Sequence, residues 1–187
     1  MSLHLRLATP GNRPVVTALI ARSARALSAP DYTPAQVEGA LRGAFGVDSQ
    51  LIVDGTYYVV LSTLGEIIAC GGWSRRGTLF GSDARASRDD APLDPRTEPA
   101  RIRALFVAPE HARTGLGAVL LARCESEARR AGFSRVELMA TLPGERLYAA
   151  YGYAAGEPVV HDLGGGVDIT FVPMRKDFEA LGANGEP

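Results

Sequence analysis

The chain has 187 residues, with 20 lysines and arginines against 21 aspartates and glutamates, and a formal net charge of -1. Its hydrophobic fraction of 46% and charged fraction of 22% exclude general disorder, and the balanced charge argues against nucleic acid as the main partner. We expect a single domain over residues 1–178 and a frayed tail over residues 179–187.

The N-terminal half predicts a strand, two helices and a hairpin. Apolar and polar residues alternate over Leu3–Ala8, which favours a strand, and the stretch lacks the apolar core of a signal peptide. Thr33 before Pro34 has the pattern of a helix N-cap followed by the first helical residue. The elements predicted after the first strand are a helix to about Leu27, a second from Pro34 to about Phe45, and hairpin strands at Thr56–Ser62 and Glu66–Ser74.

The C-terminal half begins with residues 75–99, a long loop rich in Gly, Ser, Asp, Arg and Pro. Its mixed charges favour a solvated loop, with a lid over substrate as the alternative. The later elements are strands at Ala100–Val107, Arg135–Thr141, Tyr153–Asp162 and Val167–Arg175, and helices at Gly115–Ala131 and from Pro143 to about Ala150. The order β-α-α-β-β-β-α-β-α-β-β predicts an α+β fold, a mixed sheet with helices on both faces.

The two cysteines, Cys70 and Cys124, lie far apart inside apolar stretches, which favours buried free thiols over a disulfide or a metal site. No apolar run is long enough to span a bilayer. We therefore expect a cytoplasmic protein without a membrane partner.

The most informative segment is LFVAPEHARTGLGA, residues 105–118, in which a strand leads through a turn with two glycines into a helix. The first N–H groups of a helix have no intrahelical partner and carry the positive end of the dipole, so this turn suits a phosphate or pyrophosphate. An ordinary strand-to-helix turn is the alternative. Ala118 and Val119 after Gly117 exclude a P-loop, and Leu120 stands where a dinucleotide fingerprint needs glycine.

Residues 101–153 resemble the Gcn5-related N-acetyltransferase (GNAT) family. The resemblance rests on the strand IRALFVAPEH, the turn ARTGLGAVLL, the helix end EARRAGF, the strand VELMAT and the segment LYAAYGY, in that order and spacing. The flanking elements also fit the family, so the resemblance extends over nearly the whole chain. One position departs from the family's turn, because Ala112 fills the slot that usually holds Arg or Gln and the arginine is displaced to Arg113.

The resemblance implies an acetyl-CoA-dependent N-acetyltransferase that transfers acetyl directly to a primary amine of a small molecule or protein. In such enzymes the strand before the turn pairs with the pantetheine arm, a role that would fall to Phe106 and Val107, and a backbone N–H there polarises the thioester carbonyl. Thr141, at a strand end, is a further candidate contact to the cofactor. The pyrophosphate would be held by Ala112, Arg113, Thr114, Gly115, Leu116, Gly117 and Ala118.

Tyr148 matches the family's tyrosine that protonates the departing thiolate, and packing of the short helix is its alternative role. The acceptor site would be built from the loop between the first two helices and from the hairpin, with Tyr32 and Trp73 as substrate contacts. The general base stays open between Glu98, Glu137 and a chain of water molecules.

Two other functions stay open at this point. A non-catalytic acyl-CoA sensor or interaction module would keep the turn without turnover, and the displaced arginine and the missing base favour it. A nucleotide-dependent oxidoreductase has weaker support. By analogy with the family, a homodimer is expected.

Overall fold

A computed structural model describes residues 4–85 and 88–179 of the chain. The strands are β1 (His4–Leu7), β2 (Tyr57–Leu61), β3 (Ile67–Ser74), β4 (Ala100–Val107), β5 (Arg135–Thr141), β6 (Ala154–Ala155), β7 (Val159–Asp162) and β8 (Asp168–Asp177). The helices are α1 (Arg13–Leu27), α2 (Pro34–Leu41), α3 (Ser49–Val53), α4 (Leu116–Arg130) and α5 (Leu142–Ala150).

The predicted fold class is confirmed, with three local differences. The second helix ends at Leu41 rather than near Phe45, because the chain turns at Gly43 and the Phe45 N–H donates back to Ala40, 2.7 Å away. The short helix α3 was not predicted; the Asp48 carboxylate caps it by accepting from the Gln50 N–H at 3.1 Å. The strand predicted over Tyr153–Asp162 divides into β6 and β7, since Pro158 between them has no N–H to donate.

Within the described residues the strands form one mixed sheet in the order β1-β2-β3-β4-β5-β8-β6, with β7 also paired to β8. The pair β4–β5 is parallel and the other pairs are antiparallel. Because a parallel pair needs a crossover, α4 carries the chain from the end of β4 to the start of β5.

Helices cover both faces of the sheet, and the sheet separates the core into two apolar clusters. On the α1–α2 side, Val16 and Ile20 of α1 are buried with Leu51 of α3 against the sheet. On the α4–α5 side, Leu120 and Cys124 of α4 are buried against the opposite face. Both cysteines are free and buried, as the sequence predicts.

Strands β4 and β5 separate soon after they meet, and this opens the sheet. Their pairing extends over two positions, Ala100 with Val136 and Arg101 with Glu137. Further along, β4 has an irregularity in its pairing with β3, where Ala104 adopts a φ of 52° opposite Gly71. Gly71 makes this close approach possible, because a Cβ there would lie 2.8 Å from the Leu105 side chain. The sheet therefore has a gap between β4 and β5.

The single domain over residues 1–178 stays a prediction. The predicted frayed tail lies outside the described residues, apart from Glu179. None of the helices in the described ranges has the length and apolarity that a membrane span requires.

Candidate active site

The gap between β4 and β5 holds a cavity of about 220 Å³ that reaches both faces of the sheet. Its wall on the α4–α5 side includes Leu105, Val107, Gly117, Leu147 and Tyr148. Its wall on the α1–α2 side includes Leu27, Phe45, Phe80, Phe106, Met139 and Phe171. A ligand entering from one face of the sheet can thus meet a ligand entering from the other.

Five of the residues predicted for the site line this cavity: Phe106, Val107, Gly117, Thr141 and Tyr148. They come from β4, the start of α4, the end of β5 and α5. The structure therefore brings the predicted cofactor strand, part of the predicted turn and the predicted acid to one place.

The predicted pyrophosphate turn, residues 112–118, begins α4 beside the cavity. Arg113 and Gly115 have positive φ angles of 63° and 87°, and Gly115 is the N-cap of the helix. The first helical bond runs from Val119 N–H to Gly115 at 3.0 Å, so in the described part of the chain the N–H groups of 113–118 have no backbone acceptor. Successive N–H groups free at a helix start form a concave anion site.

Single residues of this turn have separate tasks. Gly117 is closely packed, because a Cβ there would lie 3.0 Å from the Leu147 side chain on α5, which would have to shift by a few tenths of an ångström. The Thr114 hydroxyl donates to the His111 carbonyl at 2.6 Å, which fixes the turn, and Leu116 is a buried core residue. Ala112 and Ala118 are half-buried, and the Arg113 side chain is exposed, so it can reach an anion bound at the N–H groups.

Tyr148 stands on α5 with its ring packed edge-on against Tyr153, 5.6 Å between centroids. In the described chain its hydroxyl has no hydrogen-bond partner, and it belongs to the cavity wall. Burial, with a smaller contribution from Cys124, raises the pKa of this phenol above its ordinary value of 10.0. The hydroxyl therefore stays protonated through the neutral range and can donate a proton.

Thr141 combines two tasks at the end of β5. Its side chain is the N-cap of α5 and accepts from the Gly144 N–H at 3.2 Å. The same residue lines the cavity. It thus orients the helix that carries Tyr148.

The structure places the two predicted substrate contacts away from this cavity, and their contact with substrate stays a prediction. Tyr32 is buried, and its hydroxyl donates to the Thr170 carbonyl at 2.6 Å and accepts from the Leu142 N–H at 2.9 Å. Trp73 is buried in the cluster on the α4–α5 side, edge-on to Phe133. Neither is among the described residues that line the cavity. Tyr32 instead ties the loop after α1 to β8 and to the first residue of α5.

The candidate bases also have other partners. Glu98 accepts from the Asp94 N–H at 2.7 Å within the loop, and Glu137 forms an ion pair with Arg101. No aspartate, glutamate or histidine of the described chain lines the cavity. The same residues contain no group of three or more His, Cys, Asp or Glu that could hold a metal ion.

The described part of the loop of residues 75–99 is fixed by paired charged side chains that sequence reasoning missed. The Arg103 guanidinium, on β4, donates to Asp48 at 2.8 Å and to the carbonyls of Thr78 and Gly81 at 2.7 Å each. Arg88 donates to the other oxygen of Asp48 at 2.8 Å. A charged residue in the middle of an apolar strand was the available signal, because such a residue must be paired.

This network shapes the cavity. Leu79, Phe80 and Gly81, which the Arg103 bonds flank, form the cavity wall on the α1–α2 side. Burial lowers the pKa of Arg103, whereas the charge of Asp48 beside it acts in the opposite direction. The loop is consequently a built part of the site rather than a merely solvated connection.

Comparison with known proteins gives a consistent result. Residues 91–178 match the sequence model described as an acetyltransferase (GNAT) domain. No curated protein matches the chain. The fold is similar to a GCN5-related N-acetyltransferase from Rhodopseudomonas palustris, with 18% identity, a TM-score of 0.69, and coverage of 95% of this chain and 97% of that one.

Two further structures share the fold. The PaiA N-acetyltransferase from Thermoplasma acidophilum, solved in complex with coenzyme A, has 14% identity and a TM-score of 0.63, covering 95% of this chain and 100% of that one. The ribosomal-protein-S18-alanine N-acetyltransferase from Escherichia coli has 12% identity and a TM-score of 0.61, covering 99% of each chain.

Proposed function

We propose, from the premise that residues 91–178 belong to the GNAT acetyltransferase family, that this protein transfers the acetyl group of acetyl-CoA to a primary amine of a small molecule or protein. The observation that carries the proposal is the cavity between the separated strands β4 and β5. It has a helix start with free N–H groups beside it and an unpartnered phenol in its wall.

The residues at this cavity fit acetyl-CoA as the acetyl donor. The free N–H groups of 113–118 would hold the pyrophosphate, with the exposed Arg113 side chain beside them. Phe106 and Val107 line the cavity on β4 and would bind the pantetheine arm. Gly117 leaves room at the point where the helix start meets the cavity. When bound, acetyl-CoA supplies a thioester carbonyl that an amine can attack.

The proposed transfer needs only one proton donor from the chain. A backbone N–H of Phe106 or Val107 would polarise the thioester carbonyl while the amine nitrogen bonds to its carbon. Tyr148 then gives its proton to the sulfur as the carbon–sulfur bond breaks, and regains a proton from solvent. Since no described carboxylate or histidine lines the cavity, the amine's proton leaves through water.

That missing base favours a second candidate, a module that binds acyl-CoA without turnover. It would use the same turn and cavity. The turn also favours this candidate, because its arginine is at Arg113 and Ala112 fills the position where the family usually has Arg or Gln.

The test combines binding with transfer. The melting temperature is measured with acetyl-CoA, CoA, ATP and NADPH at equal concentrations, and acetylation of a panel of amines is followed by mass spectrometry. We expect a rise with acetyl-CoA and CoA alone, since a ligand at 100 times its Kd adds about 2.7 kcal/mol, together with acetylated product. A rise without any product supports the binding module, and no rise with either ligand contradicts both candidates.

A further inference from the structure

The cavity wall on the α1–α2 side contains a cluster of aromatic rings. Phe45 lies 5.9 Å from Phe106 and 6.1 Å from Phe171, and Phe171 lies 5.4 Å from Phe80, between ring centroids. All four rings line the cavity. We call these four residues the phenylalanine chamber.

We propose that the acceptor is a small hydrophobic primary amine with no second positive charge, and that its apolar group binds in the phenylalanine chamber. This inference rests on the proposed acetyl transfer and adds the substrate class. It depends on the position, the charge and the size of the chamber.

The position separates acceptor from cofactor. The turn at Gly115 and the acid Tyr148 belong to the α4–α5 side, so the acetyl donor approaches from there. The phenylalanine chamber belongs to the opposite side of the sheet, beneath α1 and the loop after α2. An amine bound in the chamber meets the thioester in the gap between β4 and β5.

The charge around the chamber excludes a second cation. Two arginines adjoin it: Arg103 lines the cavity, and the Arg85 guanidinium lies 3.9 Å from the Phe80 ring centroid. Asp48 is the buried carboxylate that pairs with Arg103. With no described aspartate or glutamate in the lining, a polyamine or a lysine-rich segment would bury its extra charge without a counterion.

The size and the remaining polar groups fit a small monoamine. The cavity of about 220 Å³ must also admit the acetyl group, and it is smaller than the pockets of about 300–1,000 Å³ that bind drug-sized ligands. Ser23 and Ser28 on α1 and its C-cap line the same wall. Their hydroxyls can accept a hydrogen bond from the amine, whereas the other polar side chain of this wall, Arg103, is a cation already paired with Asp48.

The test compares amines that differ in one feature. Initial rates of acetylation are measured for pentylamine against 1,5-diaminopentane, which adds only a second charge, and against 2-phenylethylamine, which replaces the alkyl chain with an aromatic ring. We expect kcat/KM to be about tenfold or more higher for pentylamine than for the diamine, because the second charge is buried unpaired. 2-Phenylethylamine should be acetylated faster than pentylamine, because its ring packs against the four rings of the phenylalanine chamber.

Two variants locate the binding site. Phe80→Ala should lower kcat/KM for 2-phenylethylamine about tenfold while the Kd of CoA stays unchanged. Phe178→Ala is the matched control, because that ring packs under Arg129 away from the cavity. Ser23→Asp should raise the ratio of diamine to pentylamine turnover, because it supplies a carboxylate for the second charge. If this variant does not fold, the comparison of pentylamine with 1,5-diaminopentane in the wild-type protein still tests the inference.

The outcomes separate the inference from the function on which it rests. Faster acetylation of the diamine than of the hydrophobic monoamines overturns the inference and leaves the acetyltransferase function intact. An equal loss for Phe80→Ala and Phe178→Ala also overturns it. If no amine is acetylated although CoA binds, the proposed function fails and the inference fails with it.

Discussion

The two sides of the cavity are held by different forces. On the α4–α5 side, the turn at Gly115 depends on backbone conformation and small residues, and the Tyr148 hydroxyl is without a partner in the described chain. On the α1–α2 side, the wall around Phe80 is fixed by the buried pair of Arg103 and Asp48. Changes on the first side should therefore affect chemistry and cofactor affinity, and changes on the second should affect stability and acceptor binding.

The largest effect is expected for Tyr148→Phe. Loss of the proposed proton donor should lower kcat about 10²–10⁴-fold, the range for general acid catalysis, in a steady-state acetylation assay. Stability and the Kd of CoA should change little, because the hydroxyl makes no hydrogen bond within the described residues. Tyr151→Phe is the matched control, since Tyr151 is 44% exposed at the end of the same helix. A normal kcat in Tyr148→Phe would remove this residue from the mechanism.

The next largest effect belongs to the opposite side. Asp48→Asn leaves the buried Arg103 and the half-buried Arg88 without their shared carboxylate, which should lower the free energy of unfolding by about 3–5 kcal/mol. Urea denaturation measures this loss. Glu38→Gln is the control, because Glu38 pairs with Arg25 at the surface and its loss should be barely measurable.

The same variant tests whether the two sides act separately. In folded Asp48→Asn, the KM of the acceptor should rise because the wall at Leu79–Gly81 loosens, while the Kd of acetyl-CoA should stay near the wild-type value. An equal loss in both constants would contradict the separation.

The sequence predicts the α4–α5 side well because its signals are local. The strand Arg135–Thr141 was predicted to the residue, and the turn from Gly115 into α4 is defined by glycines two residues apart. On the α1–α2 side the one comparable local signal is the N-cap predicted at Thr33, which accepts from the Gln36 N–H at 3.3 Å. Each of these signals lies within a few residues of the structure that it determines.

The α1–α2 side depends on contacts between distant residues. Asp48 and Arg103 are 55 positions apart, and neither lies in a sequence motif that predicts its pairing with the other. Tyr32 was expected to contact substrate because it lies on the loop after α1, but its hydroxyl is used by Thr170 and Leu142, more than 100 positions away. Only the packed chain shows which polar groups are already occupied.

A smaller effect, on cofactor affinity, is expected for Gly115→Ala. The φ of 87° costs an L-residue about 1–2 kcal/mol, and no atom lies within 4 Å of the new Cβ, so the effect is one of backbone conformation alone. The melting temperature and the Kd of acetyl-CoA are measured; the melting temperature should fall and the Kd should rise. Gly65→Ala, at φ 81° with equally open space, should lower the melting temperature alone. A similar Kd loss in both variants would contradict a specific role of the turn.

The smallest effect concerns acid stability on the α1–α2 side, where Arg76 at the start of the loop donates to Asp54 at 2.7 and 2.8 Å. The hydrogen bonds from Arg76 lower the pKa of Asp54 below its ordinary value of 3.8. The folded state thus holds the proton less strongly than the unfolded state, so the pair stabilises the protein above pH 3.8 and this contribution disappears as the pH falls through the lowered pKa. At pH 7, Asp54→Asn should therefore lose less stability than Asp48→Asn. Below pH 4, its free energy of unfolding should decline less steeply than that of the wild type. Urea denaturation at several pH values measures the free energy of unfolding of both variants. If this free energy falls as steeply below pH 4 in Asp54→Asn as in the wild type, protonation of Asp54 is not the cause of the acid instability.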